Sequence, residues 1–139
     1  MIDFHYELDF NLGGESDYSD WINRVLDSEN FTADQIDYVF CNDDYLHKIN
    51  VEYLQHDTLT DIITFDYSHG DRVGGDIFVS VDRVKDNAES LGTELDEELK
   101  RVMIHGVLHL MGYEDKTERE KVIMRKKEDE KIKMFHVEQ

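Results

Sequence analysis

Residues 95–111 constrain the fold more than any other segment of the chain. Apolar side chains recur there at helical spacing, and Ile104, Leu108 and Met111 extend the apolar surface to the back of the second half. A helix with so much apolar surface is unstable in water unless other elements cover it. The sequence therefore predicts a buried helix, and Gly112 directly after it favours a left-handed C-terminal stop.

The other segments supply elements that can cover this helix. Strands are predicted from apolar–polar alternation or from β-branched and aromatic runs, over 1–10, 35–41, 61–67 and 76–81. Further helices are predicted over 17–28, 42–53, 82–91 and 117–135. Residues 68–75 are glycine-rich and predict a hairpin turn, and Thr93 to Asp96 matches a capping box that opens the long helix. We expect one α+β domain over 1–139, with about five helices packed on a small, mixed, four-stranded sheet.

His105 and His109 lie one turn apart on the long helix, about 40° from each other around its axis. Paired at this spacing, two histidines can bind one metal ion. The alternative is a pair of core histidines held by hydrogen bonds, but two buried imidazoles would each need partners. Because Gly112 lets the chain turn back after the helix, Asp115 can return as a third ligand. The sequence therefore predicts a metal site beside the sheet at His105, His109 and Asp115.

Two nitrogen ligands and one oxygen ligand suit zinc best, and nickel, cobalt or manganese are alternatives. Three protein ligands leave a position for water, which is typical of a catalytic site. A structural zinc would need a fourth ligand, usually cysteine, but Cys41 lies on a distant predicted strand. The remaining candidates are His5, His47, His56, His69 and His136, and His56 is favoured by the segment in which it lies. Gly106 occupies the position where zinc proteases of this pattern carry their glutamate base. This absence favours phosphodiester cleavage over peptide cleavage, with the three ligands acting through metal-bound water.

The segments "HGVLHLMGYED", "INVEYLQHDTLTDIITFDY" and "GGDIFVS" resemble, in order and spacing, the YbeY family of bacterial rRNA maturation factors. The resemblance covers about residues 36–120. It implies an α+β fold and a zinc-dependent endoribonuclease that cleaves single-stranded RNA. It also implies a role in 16S rRNA 3′-end maturation and ribosome quality control, with ribosomal RNA and ribosomal particles as partners.

Two positions depart from the family pattern. Asp115 stands where the family usually has a third histidine, and Leu54 stands where it usually has an arginine suited to a phosphate. We expect Asp115 to keep the metal site. Electrophilic assistance to a phosphate must then come from other residues, for which the candidates are Lys116, Arg119 and Lys121.

Several polar residues before and within the predicted strand 61–67 are candidates for substrate binding. They are Asn50, Tyr53, His56, Asp57, Thr60 and Asp61. Thr60 and Asp61 are alternatively expected to orient a ligand histidine. The structural alternatives are a helix end and core aromatic for Asn50 and Tyr53, a solvated loop for His56 and Asp57, and a turn for Thr60 and Asp61.

Composition limits the remaining possibilities. The chain has 33 acidic and 15 basic residues, for a net charge of −18, which argues against general affinity for nucleic acids. It has one cysteine, no apolar run near the ~20 residues that a membrane span needs, and no signal-peptide pattern at its start. These features favour a cytoplasmic protein. Two other functions stay open, namely a non-enzymatic ribosome-assembly factor with a structural metal and a different zinc hydrolase.

Overall fold

The computed structural model describes residues 1–56 and 59–136, with the side chain of His136 excepted. Four strands and five helices follow one another along this part of the chain. The strands are β1 (Ile2–Tyr6), β2 (Thr32–Cys41), β3 (Ile62–Asp66) and β4 (Arg72–Ser80). The helices are α1 (Glu15–Ser28), α2 (Asp43–Leu54), α3 (Val81–Leu91), α4 (Leu95–Leu110) and α5 (Glu118–Lys133), and a 3₁₀ turn covers Met134–His136. The predicted α+β class is confirmed.

The strands form one mixed sheet in the order β1-β2-β4-β3. β1, β2 and β4 run parallel, and β3 pairs with β4 in the antiparallel direction, so the predicted hairpin is confirmed. The predicted turn over 68–75 is too long, because β4 already begins at Arg72 and includes two glycines. A Cβ atom on Gly75 would lie 2.4 Å from the carbonyl oxygen of Phe65, so this glycine allows the close pairing of β3 with β4.

Helix α4 packs on one face of the sheet and is buried as predicted. Ile104 and Leu108 on its back are 0% exposed. Its closest approach to the sheet is at Gly106, where a Cβ atom would lie 2.9 Å from side-chain atoms of both Ile62 and Ile77. Packing therefore explains why residue 106 is a glycine, because a larger side chain would push α4 away from β3 and β4.

The two ends of α4 differ from each other in how well the sequence predicts them. Its C-terminus forms a Schellman motif, in which the N–H of Tyr113 donates to Leu108 and the N–H of Gly112 donates to His109. At its N-terminus the predicted capping box at Thr93 is wrong. The N-cap is Glu94, without a side-chain capping bond, because the N–H of Thr93 donates to Ala88 and completes the end of α3.

Helix α5 joins the C-terminal part of the chain to α1. The indole N–H of Trp21 donates to the carbonyl oxygen of Lys131 at 2.7 Å. At the end of α1, Glu29 accepts from the hydroxyl of Tyr113 and from the ammonium groups of Lys127 and Lys131. These contacts hold α5 beside α4, where the candidate site lies. No helix in the described ranges has both the length and the apolar character that crossing a membrane requires.

Candidate metal centre

Helix α4 and the turn after it bring His105, His109 and Asp115 together, as the sequence predicts. The Nε2 atoms of the two histidines lie 3.0 Å apart. The Oδ2 atom of Asp115 lies 3.3 Å from Nε2 of His105 and 3.6 Å from Nε2 of His109. The Schellman turn at Gly112 produces this arrangement, because it reverses the chain within the few residues that separate His109 from Asp115.

Glu128 fixes the orientation of His105. Its Oε2 atom lies 2.6 Å from Nδ1 of His105, and its Oε1 atom accepts from Arg101 at 2.9 Å. Arg101 also donates to Asp129 at 2.8 Å, and Glu128 is only 4% exposed. When Nδ1 of His105 carries its proton, it donates a hydrogen bond to the carboxylate of Glu128. The lone pair of Nε2 is then directed toward Asp115 and His109. The alternative in which Thr60 or Asp61 orients a ligand histidine stays a prediction, and for His105 the hydrogen-bonding carboxylate is that of Glu128.

The two histidines differ in their electrostatic environment. Burial lowers the pKa of His105, but the hydrogen bond and the charge of Glu128, together with the charge of Asp115, outweigh it and hold the pKa above its ordinary value. Burial also lowers the pKa of His109, and the neighbouring charge of His105 lowers it further, so the pKa stays below its ordinary value. His109 therefore favours the neutral form, which is the form that binds metals.

A cavity of about 310 Å³ opens beside the three clustered side chains. It is lined by Asp61, Ile62, Glu98, Arg101, Val102, His105, Asp115, Arg125 and Glu128. Burial raises the pKa of Asp61, while the charge of His105 opposes this increase. Asp61 thus shares a cavity with the clustered ligands, whereas Thr60 donates to the carbonyl oxygen of Ile62 and shapes the turn before β3.

The basic groups of the cavity come from α4 and α5. Arg101 is engaged by Glu128 and Asp129, whereas the side chain of Arg125 is 60% exposed and only approaches Glu128, at 3.8 Å. The sequence does not indicate either arginine as a site residue. It indicates Lys116, Arg119 and Lys121 as the candidates for assisting a phosphate, but these three side chains are exposed and do not line this cavity. Arg125 is therefore the cavity cation with the greater freedom to meet an anion.

A second cavity, of about 300 Å³, contains most of the other predicted substrate-binding residues. It is lined by Asn50, Leu54, His56, Thr60, Ile62, Ile63 and Thr64. The end of α2 positions His56, because its N–H donates to the carbonyl oxygen of Asn50. Asn50 is buried. Tyr53 lies apart from these residues in an aromatic groove, and Asp57 lies outside the described residues.

The clustered side chains fit a divalent transition metal. One ligand atom from each of His105, His109 and Asp115 lies within 4.8 Å of the others, and the set of two nitrogens and one oxygen suits zinc or nickel. No fourth histidine, cysteine or carboxylate joins them in the described part of the chain, which does not include the side chain of His136. Cys41 is buried on β2 and approaches the carbonyl oxygen of Val79. The donor set is therefore that of an open site.

The sequence resembles proteins of one family over nearly its whole length. The family described as Endoribonuclease YbeY matches residues 7–136. A protein of that name from Flavobacterium johnsoniae is 58% identical over 139 residues, which cover 100% of both chains. Another, from Christiangramia forsetii, is 57% identical over 138 residues, which cover 99% of this chain and 96% of the relative.

A solved structure has the same fold. It is the solution structure of a protein from Thermotoga maritima, which matches with a TM-score of 0.68 and 23% sequence identity. The match covers 97% of this chain and 89% of the other. At this level of identity the likeness concerns the fold alone.

Proposed function

Because the chain belongs to the YbeY endoribonuclease family, we propose that it is a zinc-dependent endoribonuclease that cleaves single-stranded RNA. The observation that carries the proposal is the convergence of His105, His109 and Asp115 beside an open cavity, with Glu128 behind His105. Nickel is the alternative ion, since the same ligands suit it. A bound divalent ion would supply a Lewis acid that lowers the pKa of water and stabilises negative charge on a phosphate.

The residues around the cavity have separate tasks in this proposal. His105, His109 and Asp115 would hold the ion, and Glu128 keeps Nε2 of His105 directed toward the other two side chains. Arg125 binds the phosphate, because its guanidinium is exposed at the cavity and only loosely paired. Asp61 is the carboxyl group to which we assign proton exchange with the reacting groups, because it lines the same cavity as His105 and Asp115.

The cellular role proposed for the chain follows from its family. We assign it to 16S rRNA 3′-end maturation and ribosome quality control, acting in the cytoplasm as a single domain over 1–139. Ribosomal RNA and ribosomal particles are the proposed partners. The net charge of −18 supports local rather than general contact with RNA, because most of the surface repels phosphates.

The decisive test compares His105→Ala with the wild-type protein on a single-stranded RNA in the presence of zinc. We expect the substitution to abolish zinc-dependent cleavage, because it removes one of three ligands. His5→Ala is the matched control, since His5 pairs with Asp37 on the first strand pair and does not line the cavity. Equal cleavage by His105→Ala and wild type would contradict the proposal.

One observation favours a second function. Leu54 is 40% exposed in the second cavity, where the family pattern has an arginine. A chain without this arginine can act as a ribosome-assembly factor that binds particles but does not cut RNA. That function predicts that the wild-type protein binds ribosomal particles and does not cleave RNA when it is loaded with zinc.

A further inference from the structure

An aromatic groove lies on the face of the sheet opposite α4. Tyr45, Tyr53, Phe65, Tyr67 and Phe78 line it, and we call these five residues the aromatic groove. Its volume is about 450 Å³, and Ile49 and Asp76 complete the lining. Phe65 and Phe78 alternate along their strands with Ile62 and Ile77, which face α4, so the groove is on the other face.

The rings of the groove are well exposed for aromatic side chains. Tyr53 is 68% exposed, Tyr67 is 59% exposed and Tyr45 is 37% exposed. Phe65 and Phe78 form the floor, with ring centroids 5.9 Å apart in an edge-to-face arrangement. Tyr53 packs edge to face on Phe65 at 6.2 Å, and Tyr45 stacks on Phe78 at 6.5 Å. The floor therefore orients two of the tyrosine rings while leaving them accessible.

The chemistry of the groove suits a flat, neutral ligand. Among its lining residues only Asp76 is charged. No cation there would hold a phosphate, and an acidic group would repel one. Nucleobases are flat and uncharged, and each one stacked on an aromatic side chain contributes about 1–3 kcal/mol to binding.

The edge strand β3 contributes residues both to the cavity of the candidate metal centre and to the groove. Ile62 at the start of β3 lines both the metal cavity and the second cavity. The second cavity and the groove are lined by consecutive residues of the same two elements, namely Leu54 and Tyr53 on α2 and Thr64 and Phe65 on β3. β3 has five residues, about 17 Å in length. A single-stranded RNA that runs along this edge and around it would contact both the groove and the candidate metal centre.

We propose that the aromatic groove binds the unpaired bases of the RNA whose backbone enters the metal cavity. The identity of the ligand rests on the proposed endoribonuclease function. Stacking requires bases whose faces are free, and the bases of a duplex are already stacked on one another. The groove thus selects single strands, while Arg125 and the metal centre bind the phosphate.

The test measures binding without cleavage. A single-stranded RNA that carries 2-aminopurine is added to the full-length protein in EDTA, and stacking is followed by the quenching of its fluorescence. We expect wild type to quench the fluorescence and Tyr53→Ala to bind about fivefold to a hundredfold more weakly. Tyr53→Phe keeps the ring and should bind like wild type. Leu91→Ala is the surface control, since Leu91 is 59% exposed and does not line the groove.

The salt dependence separates stacking from phosphate binding. Tyr53→Ala should leave the slope of log K against log salt unchanged, whereas Arg125→Gln should reduce its magnitude by about 0.7, the value for one contact to a single strand. Equal binding by Tyr53→Ala and wild type, or no quenching by wild type, would overturn the proposal and leave the groove to a protein partner. A third outcome separates the two proposals. If quenching depends on Tyr53 but the zinc-loaded protein does not cut RNA, the nuclease function is refuted and the binding of bases by the groove is supported.

Discussion

Glu128 touches no predicted metal ligand except His105, yet it determines which nitrogen of that ring faces the site. We predict that Glu128→Gln weakens zinc binding about tenfold to a hundredfold, because the neutral amide no longer holds the Nδ1 proton with a charge-assisted bond. Competition with a chromogenic chelator measures the affinity. Glu118→Gln is the control, since Glu118 begins the same helix and its side chain is 93% exposed. Unchanged affinity in Glu128→Gln would show that His105 is oriented by other contacts.

At this scale the sequence predicts residues that are close along the chain and misses those that are distant. His105, His109 and Asp115 lie within one helix and its turn, so spacing alone brings them together. Glu128 and Arg125 lie on α5, where acids and bases alternate and the pattern is that of a solvated helix. Only the packing of α5 against α4 turns these two side chains toward the site.

The approach of α4 to the sheet depends on Gly106. We predict that Gly106→Ala lowers the free energy of unfolding by about 1 kcal/mol, because overpacking against Ile62 and Ile77 outweighs the higher helix propensity of alanine. Ile62→Val removes one of the crowded methyl groups. Ile62→Val should therefore lower the free energy of unfolding less in the Gly106→Ala background than in wild type. Denaturant unfolding of wild type, the two single variants and the double variant measures this difference. Strict additivity would mean that α4 moves away from the sheet instead.

The boundaries of the helices are harder to predict from the sequence than the helices themselves. Thr93 has the residue type and spacing of an N-cap, but its N–H is already used to end α3. Thr117 forms the capping box instead, with Glu120 as the reciprocal partner, and it starts α5. The choice between the two threonines depends on the helix that comes before, which a local motif does not include. The helices and strands themselves were predicted well because their periodic apolar patterns reflect a shared core.

The stability of the whole molecule should depend on pH through Glu29, which accepts hydrogen bonds from Tyr113, Lys127 and Lys131. Burial raises the pKa of Glu29, but the hydrogen bonds from Tyr113, Lys131 and Lys127 outweigh it and lower the pKa from 4.5 to about 2. Since the folded protein holds this carboxylate in its ionised form, the stabilisation is complete above pH 4.5 and is lost as the pH falls toward 2. We expect the loss to be about 2 kcal/mol after allowance for solvent screening.

Unfolding curves between pH 6 and pH 2 test this expectation. In Glu29→Gln the decline that Glu29 causes should be absent, and stability at pH 6 should already be lower than that of wild type. Glu89→Gln is the control, since Glu89 is an exposed carboxylate on α3. Parallel pH profiles for Glu29→Gln and wild type would show that the cluster contributes little.

Helix α5 follows the clustered side chains of α4 along the chain, and this order has a consequence for biosynthesis. A nascent chain that has been synthesised only through Asp115 already contains His105, His109 and Asp115. The residues of α5 come later: Glu128, which contacts His105, the carbonyl of Lys131, which accepts from the Trp21 indole, and Lys127 and Lys131, which bind Glu29. Domains complete their folding only when the segments that close them have been synthesised. His105 is therefore oriented only after α5 has been synthesised, and a shorter nascent chain holds the three clustered side chains without the carboxylate that directs His105.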